Sequence, residues 1–111
     1  MNLVDVYERV CYVEPINERV FFNYFTDTIR ELLTLFDGFV IEEGEEFIPP
    51  ETLSDETFVR ELYQNAIVDN ILFIMGKGDA LKNEFLRESK FAWIKYWNDD
   101  AKGRRIRRMR W

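Results

Sequence analysis

The chain has 111 residues, a net charge of −6, one cysteine and no histidine. That length supports one hydrophobic core, and with 47% hydrophobic residues and ten Phe the composition is globular, not disordered. The missing histidine removes the usual general base and the usual transition-metal ligand, so triad and common zinc chemistry are excluded. No apolar run reaches the ~20 residues that span a bilayer. Acids occupy the N-terminus where a secretory leader carries bases, so assembly inside a cell is expected. Cys11 has no internal disulfide partner and is expected to be a buried thiol.

Leu3, Val6, Val10 and Val13 recur at helical spacing and predict a first helix over 3–13, capped by Asn2 and ended before Pro15. Asp5 stands at the third helical position, a weak form of the capping box. The second helix begins after Asn17, with Ile16 and Phe21 spaced as a hydrophobic staple. It should run to about Phe36 and stop at Asp37-Gly38. Phe21, Phe22, Tyr24, Phe25, Ile29, Leu32, Leu33, Leu35 and Phe36 cover more than half its circumference, which implies burial on two sides. The second side packs either on another chain or under the segment that follows.

Residues 37–56 hold eight acids and no base. Phe39-Val-Ile41 and Phe47-Ile48 flank Glu42, Glu43, Gly44, Glu45 and Glu46. This segment is either a small hairpin turning at Gly44 or a long ordered loop with both apolar pieces tacked to the helices. The four glutamates are the one cluster with the chemistry for acid–base or Mg²⁺ work, and a solvated acidic loop is the simpler reading. Pro49-Pro50 ends it as extended chain.

A third helix is expected from Ser54, with Leu53 and Phe58 as staple and Asp55 and Glu56 complementing the helix dipole. It would carry Val59, Leu62, Tyr63, Ala66, Ile67, Ile71 and Ile74 and end at Gly76-Lys77-Gly78. Asn70 lies close to its apolar stripe and is expected to be half-exposed, with a buried polar specifier as the alternative. A fourth helix is expected from about Asp79 to Trp97 or Asp99. Leu81, Phe85, Ala92 and Tyr96 form one edge, Leu86, Trp93 and Trp97 the next. Phe91, Trp93, Tyr96 and Trp97 make an aromatic block, with core packing the first reading for Trp93 and an interface for Trp97.

The chain closes on a segregated charge. Lys102, Arg104, Arg105, Arg107, Arg108 and Arg110 give the tail +6 and leave −12 on residues 1–101. Ile106, Met109 and Trp111 interleave with the arginines. Such a tail has three readings: docking on an acidic protein surface with Trp111 as anchor, which the interleaving fits best, binding to a nucleic-acid backbone without sequence specificity, or a loose solubilising end. The expected organisation is all-α: a bundle of four helices over residues 1–101, a long acidic loop between the second and third, and an extended basic docking tail over 102–111.

This order of features resembles the head–tail connector (adaptor, or head-completion) proteins of tailed bacteriophages. The stretches Tyr63-Gln-Asn-Ala-Ile-Val-Asp-Asn-Ile-Leu-Phe-Ile-Met-Gly76, Glu84-Phe-Leu-Arg-Glu-Ser-Lys-Phe-Ala-Trp93 and Gly103-Arg-Arg-Ile-Arg-Arg108 carry the likeness, which lies in architecture. The acidic central loop and the compact basic terminus depart from that pattern. The resemblance implies a virion protein without catalysis, cofactor or metal, with no membrane association. Subunits would form a ring in the neck, commonly twelve copies, beneath the portal protein and above the next neck or tail component. DNA would pass through the channel without sequence-specific binding. Ring contacts need two complementary faces, for which Phe22 and Phe25 of the second helix and Trp97 of the fourth are the candidates. Glu42, Glu43, Glu45 and Glu46 would face the channel or the next ring. The alternative is a small helical nucleic-acid-binding or regulatory protein acting through the arginine tail.

Overall fold

A computed structural model describes residues 1–36 and 39–108, with side chains as far as Trp97. Four α-helices follow in order: α1 (Leu3–Val13), α2 (Glu18–Phe36), α3 (Gln64–Ile74) and α4 (Ala80–Arg108). A single 3-10 turn, Glu61–Tyr63, leads into α3. The all-α bundle expected from the sequence is the observed architecture.

The helix starts follow the local chemistry. Asn2 accepts from the Val4 amide at 2.9 Å, and Asn17 from the Val20 amide at 2.9 Å, so each side chain satisfies an otherwise orphaned donor. Gly76 ends α3. Its φ of 81° is the left-handed conformation that a side chain would strain, and it lets the amides of Gly76 and Lys77 reach back to the carbonyls of Phe73 and Leu72. The α4 backbone continues to Arg108, past the expected end near Trp97 or Asp99. No proline interrupts it, and the lone Gly103 costs only about 1 kcal/mol of helix propensity. The expected stop at Asp37-Gly38 lies outside the described residues.

The third helix starts nine residues later than expected, with Tyr63 and not Ser54 in the cap position. Residues 54–60 are not helical. The Asp55 carboxylate instead accepts from the amides of Glu51 and Thr52 and from the Thr52 hydroxyl, at 2.8, 3.0 and 2.7 Å. These short-range bonds close a turn and compete with helix formation. They also hold the Asp55 carboxyl below its ordinary range, the Glu51 amide contributing most. Val59 then enters the core in extended form and bridges Ile41. The Glu42 amide bonds the Phe58 carbonyl at 2.8 Å, and the Arg60 amide bonds the Val40 carbonyl at 2.9 Å. No hairpin joins 39–41 to 47–48. The chain does turn at Gly44, φ 82°, but its cross-chain pairing is with residues 58–60.

Helix α3 is the centre of the bundle and packs against α1, α2 and α4. Ala66, Ile67, Val68, Ile71 and Leu72 are buried around it. The core joins Leu3, Val6 and Val10 of α1, Phe21, Phe25, Ile29 and Leu32 of α2, Val40 and Val59 of the loop, and Phe85 of α4. Asn70 is the buried alternative of the two readings, only 1% exposed. Its amide donates to the Thr28 hydroxyl at 2.9 Å and accepts from the Lys82 ammonium at 3.2 Å. Lys82 also pairs with Glu31. This network ties α2, α3 and α4 in one register through groups that a purely apolar contact would not orient.

Candidate functional site

The acidic loop is an ordered strap over one side of α2. Phe47 packs on Phe25, ring centroids 6.3 Å apart, while Glu42, Glu43, Glu45 and Glu46 all face solvent. Beneath the strap a groove of about 650 Å³ is bounded by Arg30, Leu33, Ile41 and Phe47. Ile48 stands beside the acids, 61% exposed. The strap therefore presents an acidic, partly apolar rim. Among the described residues, no three acidic or cysteine side chains converge in a way that would hold a metal ion.

The strap also corrects the expected subunit interface. Phe25 is fully buried and Phe22 nearly so, the former against Phe21 and Phe47. The second side of α2 is covered at Phe25 by the chain's own loop, so Phe25 has no surface to offer a second copy, while Phe22 shows only a small edge in a groove beside Pro50 and Glu51. Trp97 differs. It is 43% exposed and meets Phe39 edge-on at 5.9 Å.

Phe39 organises the aromatic block. It sits edge-on to Trp93, Tyr96 and Trp97 at 6.2, 5.6 and 5.9 Å, and Trp93 stacks on Phe36 at 5.9 Å. Arg60 covers the outer face of Tyr96, its guanidinium carbon 4.2 Å from the ring centroid, and donates to the Tyr96 hydroxyl at 3.1 Å. Such a contact between cation and ring fixes the loop to α4. Tyr63 lies beneath, and burial pushes its phenol up to about 12. These rings are packed against one another, the arrangement of a structural seam. A base-stacking platform needs free faces on a groove.

Two further surfaces were not singled out by sequence. Between the 3-10 turn and α4, Leu62, Asn65, Arg87, Phe91 and Lys95 line a groove of about 310 Å³, with Phe91 69% exposed. Between α1 and α3 a larger groove, about 680 Å³, is lined by acids and apolar side chains together. Its signal was a tyrosine, Tyr12, off the apolar stripe of α1. Cys11 is half-buried, its Sγ 3.7 Å from the Ile16 carbonyl.

The docking-tail side chains, Lys102 through Trp111, lie outside the described residues; the backbone to Arg108 belongs to α4. Among the described residues no helix is long and apolar enough to cross a membrane. No known protein family, no curated protein and no solved structure matches the chain.

Proposed function

We propose that the chain is a structural subunit of a tailed-phage neck, forming a ring that joins the portal to the next neck or tail component and extends the DNA channel. The observation that supports this is charge polarity on a rigid frame. An ordered acidic strap marks one region of the molecule, and α4 leads without a break into the segment carrying six of the chain's cations. The work of such a subunit is geometric: the strap offers carboxylates to the channel or to the next ring, and the basic segment engages a neighbouring chain. Carboxylates along a channel repel phosphates and let DNA slide, whereas a basic lining would hold it through counterion release.

The test is imaging of the chain co-expressed with the portal protein of the phage that encodes it. A closed ring seated under the portal is the expected outcome. A chain that leaves the portal bare, and binds duplex DNA through residues 102–111 with affinity falling steeply in salt, would replace this reading with the nucleic-acid one.

A further inference from the structure

The groove between α1 and α3 has mixed chemistry. Asp5, Glu8, Tyr12 and Val13 come from α1, and Val68 and Asp69 from α3. Tyr12 is 93% exposed and Val13 50%, on a helix whose other face holds Leu3, Val6 and Val10 in the core. The acids Asp5 and Glu8 are exposed beside them. The one base in the wall, Arg9, is engaged by the Asn65 side-chain oxygen at 2.8 Å. Three acids, Asp5, Glu8 and Asp69, thus line the groove against the single base Arg9, with Arg87 acting on Asp69 from α4, and two unburied apolar side chains stand among them.

The sequence holds one segment of complementary composition. Residues 102–111 alternate six cations with Ile106, Met109 and Trp111 and contain no acid. An Arg-rich, aromatic-ended segment matches a groove with acidic rim and apolar floor in both charge and hydropathy.

The path of α4 decides whose segment it is. The Lys82–Asn70 bond and the Arg60–Tyr96 contact show that α4 runs antiparallel to α3, leaving the bundle past the start of α3. From Tyr96 to Arg108 a helix advances about 18 Å, and the last three residues reach at most about 11 Å. A chain's own terminus is therefore carried away from its own groove. We infer that the α1–α3 groove is the seat for the basic C-terminal segment of a second copy of this chain. The contact is head-to-tail, and repetition of it builds a ring or a filament according to the rotation between copies. This goes beyond the neck reading and needs no portal.

The experiment is cysteine pairing in full-length chains on a Cys11→Ser background. One chain carries Val13→Cys, the other Met109→Cys, and the mixture is mildly oxidised and run without reductant. A disulfide-linked pair of chains is expected, about tenfold more abundant than from a control mixing Met109→Cys with Leu35→Cys on exposed α2 surface. Reversing the rim with Asp5→Lys and Glu8→Lys should abolish the product, and adding Arg104→Glu and Arg105→Glu on the other chain should restore it. Equal yields from groove and control overturn the proposal. So does a chain carrying both cysteines that closes on itself as a monomer. A strong cross-link with no portal binding would sink the neck reading alone; portal seating with no cross-link would sink this one alone.

Discussion

Replacing Asn70 by Ala tests whether the buried polar network holds the bundle in register. The substitution removes the donor to Thr28, a side chain with no exposed surface, and one acceptor of Lys82. Each hydrogen bond contributes about 1 kcal/mol net, and a buried hydroxyl left without its partner costs about 1–3 kcal/mol more. The lost side-chain volume adds a small cavity term. The sum is about 3 kcal/mol, a large share of the stability of a domain this size. At roughly 4 °C per kcal/mol, the midpoint of thermal unfolding should fall by about 12 °C. Thermal and urea unfolding followed by circular dichroism measure the shift and the free-energy loss, with Thr28→Val and the double variant completing a cycle. The coupling between the two sites should exceed about 1 kcal/mol. An Asn70→Ala chain within 0.5 kcal/mol of the parent, or additive changes, would refute the claim that this network positions α2 and α4 on α3.

Glu88 gives a pH prediction. Burial first, then its hydrogen bond to Asp69 and the charges of Asp69 and Glu84, raise its carboxyl to about 7, against the opposing pull of Arg87. A carboxyl raised in the folded state contributes stability that is complete below its ordinary value near 4.5 and is lost as pH rises through 7. Glu88→Gln should therefore flatten the stability profile between pH 5 and 8 and gain about 1 kcal/mol at pH 8 after solvent screening; an unchanged slope in urea titrations across that range would exclude the assignment. Asn17→Ala should cost about 1 kcal/mol by orphaning the Val20 amide at the start of α2, whereas Asn17→Gly should cost only a few tenths, and equal losses in chemical denaturation would show that the cap is not the cause.

Features set by neighbours a few residues apart were legible. The α1 stripe through Leu3, Val6 and Val10, though not its last member Val13, which is exposed, the Asn2 and Asn17 caps, the span of α2 and the glycine stop after Ile74 each follow from spacing and one side chain. What failed depended on distant partners. Ser54-Asp55-Glu56 has the grammar of a helix start, yet Asp55 closes a turn on Glu51 and Thr52, and the core takes Val59 as an extended residue beside Ile41. The width of α2 correctly signalled burial on two sides, but periodicity does not say whether a loop or a second chain covers the second side. Phe47 made it the loop, which withdrew Phe25 from any interface. Arg60 carried no periodic signal because its partner, Tyr96, is thirty-six residues away.

The charge segregation raises its own question: a −12 body and a +6 tail on one chain should neutralise each other. Exposed charges farther apart than a Debye length, about 8 Å at physiological salt, are largely screened, so neutralisation requires contact, and contact requires that the tail turn back. A flexible tail would do so. A helix that keeps its direction to Arg108 does not, since it moves the basic segment out by about 1.5 Å per residue. In the proposed head-to-tail contact, residues 98–108 direct that attraction to a second chain. The prediction that follows is specific to helix continuity: Ala101→Pro, which breaks the helix before the cations, should let the tail reach its own body and lower association between copies, although every charge is retained. Sedimentation of the parent and the Ala101→Pro chain at matched low salt measures this. Equal association would mean that charge alone, without the direction of α4, governs how copies meet.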